Sequence, residues 1–454
     1  MKVLLTFPPP TDNLYTYTGI NRQTSTAIYL LGELLKQLEY DVKIMDPLLY
    51  FNDEFAFLSN SFIDSMIKDV DVIGISTNSF NWAYAKLLIE KIKKRQANIP
   101  IILGGVHPTL MDTRVLSTSL ADVVIRKEGE KVLPNLLSSI KKDGLHKLSD
   151  IRGITFKDKY GNIVRNIDDI PLTQEEYNNI ILPNFEDMPK GYYVGIPCET
   201  SRGCLYNCSF CGVLHHNSWK CLDKYNCTRQ IDNAIKWAKE KCVSQIIFLG
   251  DDCISVDGQR LEHIFTYISE RRDTFKVFME GRLGDLIKLD LDEKFPSEKI
   301  IRFLIGIECG YDQGLQLVRK GYKISQIRDA FNKLKGKKIV DSLFGTFIIG
   351  LPWENYECCV KTIQFAASLY CDYGVKCNIS WWSIIPSYLW DIRKKYNIFV
   401  DESIFDYPEW YELDYHKKDS FFLRTHPNLS LNEIEKLVRL IQNYSRSGIK
   451  IVDE

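Results

Sequence analysis

The sequence predicts an α/β protein: an N-terminal doubly wound domain, a partial or full parallel β/α barrel, and a small C-terminal helical and aromatic region. Three observations predict it. Short β-rich runs alternate with helix-period stretches over residues 1–141. The same alternation resumes at about residue 191. Between them, residues 142–190 are polar and break the rhythm.

In the first part, strands are expected at 2–7 (KVLLTF), 41–45, 71–76 (DVIGIS), 100–104 (PIILG) and 122–126 (DVVIR), with helices over 26–39 and 81–96. Strands separated by helices ask for a parallel sheet covered on both faces, with a ligand crevice at the strands' carboxyl ends. Residues 142–190 read as a linker carrying a hairpin, GITFKDKYGNIVRN, that turns at Tyr160–Asn162. Over 191–390, strands are expected at 244–249, 275–279, 302–308, 342–349 and 376–385, with an amphipathic helix at 228–241. A barrel of such units carries its site at the strand C-termini. Residues 391–454 are aromatic and acidic, then helical, and read as a substrate cap whose last helix is capped by Asn428 or Ser430.

The chain has 454 residues, is 45% hydrophobic and 26% charged, and carries a formal charge of −1. That balance excludes a basic nucleic-acid binder, whose phosphate contacts need a surplus of cations. The longest apolar runs, such as SLFGTFIIGLP, are about half of what a membrane span needs, and MKVLLTFPPP is broken too early to be a signal peptide. A cytoplasmic protein is expected. Its thirteen cysteines are an odd number without the regular spacing of a secreted scaffold, which points to metal or redox chemistry in a reducing compartment.

The segment TSRGCLYNCSFCG places Cys204, Cys208 and Cys211 at Cys-x3-Cys-x2-Cys spacing. Soft thiolates select iron–sulfur clusters or zinc. Three ligands on a four-iron cluster leave one iron open to a substrate or cofactor. The spacing alone also admits a structural zinc loop completed by His215, His216 or Cys221, or free thiols in a buried turn. The other ten cysteines show no further Cys-x2-Cys and read mainly as core, with Cys221 and Cys227 as exceptions beside the loop.

These residues resemble the signature of the radical S-adenosylmethionine (radical SAM) enzymes, and Phe210 matches an aromatic position that the family often shows. The resemblance implies an oxygen-sensitive [4Fe–4S] cluster on the three cysteines, whose open iron takes the amino and carboxylate groups of S-adenosylmethionine. An electron, from a reductant such as flavodoxin or ferredoxin, then splits the sulfonium into methionine and a 5′-deoxyadenosyl radical. Further matches follow downstream. Gly250, Asp251 and Asp252 stand where the family often has Gly-Gly-Glu near the methionine amino group. Arg282 is similar to an arginine near the cofactor carboxylate. Glu308, in GIECGYDQGLQLVRKGY, is a candidate for the ribose or amino group. GTFIIGLPWEN, with Ile348 and Gly350, resembles the segment against which adenine packs.

The first domain resembles the cobalamin-binding, flavodoxin-like domain of one radical SAM subclass. The matching stretches are FPPPTD with Pro9, GISTNSFNWA with Ser76, Thr77 and Asn78, GGVHPT with Gly104, Gly105, His107 and Thr109, and IRKEGEKVLPNLL with Glu128 and Gly129. Gly104 and Gly105 would let backbone approach a bulky ligand, and the polar side chains would bond a nucleotide tail or corrin amides. Many cobalamin domains carry Asp-x-His-x-x-Gly. Here no histidine precedes His107, and Leu14 follows where Asp12 would need one, so cobalt is expected without a protein imidazole and His107 near the tail.

The resemblance implies three cofactors: a [4Fe–4S] cluster, S-adenosylmethionine and cobalamin. The expected activity is a methyltransferase that delivers the methyl of methylcobalamin to an unactivated carbon. Two alternatives stand beside it: a non-methylating rearrangement, cyclisation or ring contraction with the same cofactors, and a zinc-stabilised binding protein without catalysis. The expected substrate is a small molecule or peptide, with no nucleic-acid or membrane partner. Trp381, Trp382, Trp390, Trp410 and Tyr411 read either as an aromatic substrate pocket or as packing.

Overall fold

The structure, a computed structural model, describes residues 1–8, 24–46, 58–191, 193–248, 251–288, 295–407, 426 and 428–453. The chain divides into two compact units. The first is Met1–Val194 with Glu240–Val243 and Glu402–Trp410; the second is Gly195–Lys239 with Ser244–Asp401 and Tyr411–Glu454. Of the expected site and pocket residues, Pro9, Gly250, Trp410 and Tyr411 lie outside the described residues. No described helix is long and apolar enough to cross a membrane.

The first unit is built on β1 (Lys2–Thr6), β2 (Asp41–Met45), β3 (Val72–Ser76), β4 (Ile101–Gly104) and β5 (Val123–Ile125), parallel and ordered β2-β1-β3-β4-β5. These strands are rich in Val, Ile and Leu, as strands of a covered parallel sheet are. The order reverses between β1 and β3, so the crevice of a doubly wound sheet opens at the carboxyl ends of those two strands. Helix 26–37 buries Ile28, Tyr29, Leu30, Gly32 and Leu35. Gly32 packs close there, since a Cβ would stand 2.7 Å from Ile44 Cδ1 and make that side chain shift.

The hairpin expected in a linker is instead part of this sheet. β6 (Ile154–Lys157) pairs antiparallel with β5, and β7 (Ile163–Arg165) with β6. Its turn is held by Asp158, whose carboxylate accepts the amides of Tyr160 and Asn162 at 2.8 Å each. What ties the hairpin down is Arg126, just beyond β5, with 1% of its side chain exposed. Its guanidinium donates to Asp168 at 2.7 Å, to Thr155 Oγ1 at 2.6 Å and to the Asn166 carbonyl at 2.6 Å. Asp112 closes the network by accepting from Thr155 at 2.6 Å and Arg165 at 2.8 Å. Burial tends to raise the Asp168 carboxyl, but bonds from Lys127 and Arg126 hold it at about 2.

The second unit carries a parallel sheet in sequence order. Its strands are β8 (Gly195–Pro197), then, beyond a ribbon of β9 (Ser201–Cys204) and β10 (Ser218–Cys221), β11 (Gln245–Ile247), β12 (Lys276–Gly281), β13 (Ile300–Glu308), β14 (Leu343–Ile349), β15 (Lys376–Trp381) and β16 (Ile451–Asp453). Among the described residues β8 and β16 are the outer strands and do not pair, so the barrel is partial. Along β14, Leu343, Gly345, Phe347 and Ile349 are buried while Phe344, Thr346 and Ile348 are half-buried. Phe347 meets Phe365 of helix 356–373 edge-on at 6.2 Å, so the buried set faces the helices and the other set the concave side.

The expected C-terminal cap is divided between the units. Helix 431–446 and β16 complete the barrel sheet, while Glu402–Asp406 belongs to the first unit. Ser430 caps the last helix in a capping box with Glu433. Asn428 does not; its Nδ2 donates to the Pro352 carbonyl at 3.1 Å.

Replacing Arg126 by alanine leaves the Asp112 and Asp168 carboxylates without their buried cation. The first unit is expected to lose about 3 kcal/mol, read from the urea midpoint of its transition. Because the Asp168 pKa is lowered in the fold, its contribution is present above the ordinary carboxylate range and is lost as pH falls towards 2.

Candidate functional site

In the second unit the three cysteines sit on a β-ribbon and its loop. Cys204 ends β9, opposite Ser218 of β10, and its amide donates to the His215 carbonyl at 3.0 Å. Gly203 has φ 88°, and a Cβ there would stand 2.2 Å from the Ser218 carbonyl, so glycine is required for the ribbon to close. Cys208 and Cys211 lie on the loop, joined by a 3.2 Å bond from the Cys211 amide to the Cys208 carbonyl. All three are free and half-buried. Burial pushes the Cys211 thiol up to about 12, whereas a hydrogen bond from Cys253 lowers that of Cys204.

His216 lies against this loop with Nδ1 2.9 Å from the Tyr206 carbonyl and Nε2 3.3 Å from the Cys211 carbonyl. Its ring nitrogens therefore serve the loop backbone and not a fourth metal position. Among the described residues no three His, Cys, Asp or Glu donors converge on a point. A four-iron cluster takes each thiolate at a separate corner and asks for no such convergence.

Two adjacent carboxylates after β11 hold the ribbon. Asp251, fully buried, accepts the Thr200 amide at 3.0 Å and the Thr200 and Ser201 hydroxyls, with Arg260 3.7 Å away. Burial raises its carboxyl to about 6. Asp252 accepts the Gly203 amide at 2.8 Å. Both were expected near the cofactor amino group; both hold the ribbon's backbone.

The concave face carries the remaining candidates. Glu308, at φ 75°, is buried and pairs with Lys320 at 3.0 Å. Gly306 permits that pair, since a Cβ would stand 2.4 Å from Glu308 Oε1 and 2.7 Å from Lys320 Nζ. Burial disfavours the Lys320 ammonium, but Glu308 outweighs it and raises the pKa. Lys320 Nζ also lies 5.9 Å from the Phe210 ring centroid. Glu280, half-buried on β12, has its carboxyl raised to about 7 by burial and by the charges of Asp252, Cys253 and Glu308.

Arg282 stacks on Tyr206 at 3.5 Å, and one Nη donates to the Lys320 carbonyl. Its Nη1 is buried without a partner among the described residues. A buried, unpartnered guanidinium nitrogen is rare in a folded protein, and it fits an arriving carboxylate.

Gly350, at φ 72°, turns the chain beyond β14. The turn is clamped from both sides: Glu354 accepts the Leu351 amide at 2.9 Å, and His426 lies 2.7 Å from the Leu351 carbonyl. Glu354 also accepts from Tyr311 at 3.0 Å, and burial raises its carboxyl to about 7. Ile348 stays half-buried on the concave side. Trp381, Trp382 and Trp390 are buried at 3–4% exposure and pack as core.

In the first unit, Gly105 has φ 100°, and a Cβ there would stand 2.3 Å from the Thr77 carbonyl. A Cβ on Gly104 would meet nothing within 4 Å, which leaves that strand end open as a cradle for a bulky ligand. The polar residues expected to bind the ligand also bond within the protein. Thr77 donates to Asn81 at 2.6 Å, Asn78 accepts the Phe80 amide at 2.9 Å, and Ser76 accepts from Ser25 at 3.2 Å. Thr109 takes the Lys127 amide at 3.0 Å, Glu128 the Leu172 amide at 2.7 Å, and Gly129 packs by Leu31. These bonds shape the loops because strand-end backbone must find partners.

His107, expected near the ligand, is in the core at 1% exposure. It bonds Ser79 at 3.0 Å, stacks on Trp82 at 5.4 Å and meets Phe405 at 5.2 Å. Burial lowers its pKa to about 3. Asp406 anchors the Phe405 segment by accepting from Arg114 at 2.7 Å and from Trp82 Nε1 at 3.1 Å.

Sequence reasoning passed over Lys320, Glu280 and Glu354. Lys320 and Glu354 stood inside quoted motifs, and Glu280 lies two residues before Arg282. Only the fold shows that Lys320 and Glu354 are buried and Glu280 half-buried.

Comparison with known proteins gives two family matches: B12 binding domain over residues 24–137 and Radical SAM superfamily over residues 198–366. An uncharacterized methyltransferase of Pyrococcus horikoshii is 28% identical over 394 residues, 82% of this chain and 79% of that protein. The 4′-phospho-dehydrooxetanocin synthase of Priestia megaterium is 24% identical over 70% of this chain, but this spans only 43% of the synthase. The radical S-adenosylmethionine methyltransferase TsrM of Kitasatospora setae, solved with cobalamin and a [4Fe-4S] cluster, shares the fold at TM-score 0.64 and 15% identity, covering 87% of this chain and 75% of that one.

The Glu308–Lys320 pair gives a direct test. Lys320→Met leaves a buried carboxylate alone and is expected to cost about 3–5 kcal/mol. Adding Glu308→Gln should recover most of that loss in a double-mutant cycle followed by denaturant unfolding.

Proposed function

Because the chain belongs to the cobalamin-dependent radical S-adenosylmethionine enzymes, we propose that it transfers a methyl group to an unactivated carbon of a small molecule or peptide. The observation that carries methylation is the likeness, over 394 residues, to a protein described as a methyltransferase. The cofactors of this domain pair are a [4Fe–4S] cluster, S-adenosylmethionine and cobalamin. When bound, they supply a 5′-deoxyadenosyl radical for hydrogen abstraction and the methyl group itself.

The chain's own residues divide the work. Cys204, Cys208 and Cys211 hold the cluster, on a ribbon fixed by Asp251 and Asp252. Arg282 Nη1 takes the cofactor carboxylate. Asp252, Glu280 and Glu308 stand beside Lys320 and Arg282 on the concave face, three acidic groups against two cations, and offer partners to the ammonium and sulfonium of a cationic cofactor. Phe210, Ile348 and the Gly350 turn offer apolar surface to adenine. At the first unit's crevice, Gly104 leaves room for the corrin, while Gly105 lets the Thr77 backbone approach. His107 is held in the core, so no imidazole from that loop reaches cobalt. A reductant such as flavodoxin or ferredoxin supplies the electron.

A second reading, favoured by the likeness to the synthase, keeps the cofactors and performs a rearrangement, cyclisation or ring contraction instead.

The test is anaerobic purification with iron, sulfide and hydroxocobalamin, then turnover with S-adenosylmethionine and candidate substrates. The account expects about four irons and one cobalt per chain, loss of the iron in the Cys204→Ala, Cys208→Ala, Cys211→Ala triple variant, and a product heavier than its substrate by one CH2 unit. A product without that gain would favour the second reading. Zinc in place of iron would overturn both.

A further inference from the structure

Reductive cleavage needs an electron from outside the chain, and the surface beside the cysteine loop has the chemistry to receive its carrier. Leu205, next to Cys204, is 51% exposed, and Tyr388 is 43% exposed. The Arg319 guanidinium lies over the Tyr388 ring at 3.7 Å. The Leu389 amide donates to the Ser209 carbonyl at 2.9 Å, which fixes the 388–396 segment against the loop between Cys208 and Cys211. That segment runs on into Lys394 and Lys395, both exposed.

The loop's other flank is also cationic at its surface. Tyr206 donates to Asp285 at 2.9 Å, and Lys288, with 72% of its side chain exposed, stands 3.6 Å from the same carboxylate. Exposed Lys288, Arg319, Lys394 and Lys395 thus stand on segments that touch the loop, with exposed Asp391 as an opposing charge on the 388–396 segment. The whole chain carries a net charge of only −1, so this is a local concentration of positive charge. An apolar centre with a cationic border is the arrangement of a transient, electrostatically steered interface.

We propose that this face docks an acidic one-electron carrier protein of the flavodoxin class. The proposal rests on the radical-enzyme reading above. One electron leaves the reduced flavin and enters the cluster; the carrier is oxidised by one electron, the cluster is reduced by one, and no covalent bond forms or breaks in the transfer.

The test follows bleaching of the cluster's visible absorption in the reconstituted full chain by stopped flow, with reduced flavodoxin or with dithionite. Compared with the wild type, the Arg319→Glu, Lys394→Glu, Lys395→Glu variant should be bleached by flavodoxin about tenfold more slowly or worse at low salt. The wild-type rate should fall with added salt while the variant's stays flat. Dithionite should bleach both alike, which shows that the variant is folded and loaded. Equal flavodoxin rates in both proteins would overturn the docking face while leaving the cluster reading intact. A wild-type chain that dithionite cannot bleach would overturn that reading and the proposal with it.

Discussion

Asp251 and Asp252 follow β11, and both reach back to the cysteine ribbon. One accepts the Thr200 amide and the hydroxyls of Thr200 and Ser201; the other accepts the Gly203 amide. This clamp fixes the ribbon to the barrel, since β9 and β10 pair only with each other among the described residues. Burying a carboxylate is costly, as the raised Asp251 pKa shows, and Arg260 with three donors offsets that cost. The barrel thereby converts the position of one strand end into the position of the ribbon that carries the cysteines.

The same economy of donors runs through the rest of the site. Glu308 is neutralised by Lys320, the Leu351 backbone is held by Glu354 and His426, and the polar side chains of the first unit's loops are engaged within the protein. Arg282 Nη1, like Arg260 Nε, is a buried guanidinium nitrogen without a hydrogen-bond partner among the described residues. The Tyr206 ring, 3.5 Å from the Arg282 guanidinium carbon, fixes the plane of that group.

Strands β1 to β5 were legible to within a residue or two, because short apolar runs rich in Val, Ile and Leu, bounded by helix-period stretches, have few other readings. β8 and β16 were missed: each is three residues long and gains its identity from its neighbour in the sheet. The hairpin was found, yet read as a linker, because the Arg126–Asp168 pair that joins it to β5 spans 42 positions. Glu308 was singled out, but its partner was not, since only the left-handed backbone at Glu308 and the bare Gly306 let Lys320 approach. His107 was placed by the ligand because nothing local reveals that Phe405, nearly 300 residues on, covers its ring.

The central claim is that three thiolates leave one iron open and that S-adenosylmethionine binds it. Electron paramagnetic resonance of the anaerobic, dithionite-reduced protein tests this most directly. The account predicts a signal from a reduced four-iron cluster whose g-values shift when S-adenosylmethionine is added, with the shift weakened in Arg282→Ala. A cluster signal that is identical with and without the cofactor would contradict it.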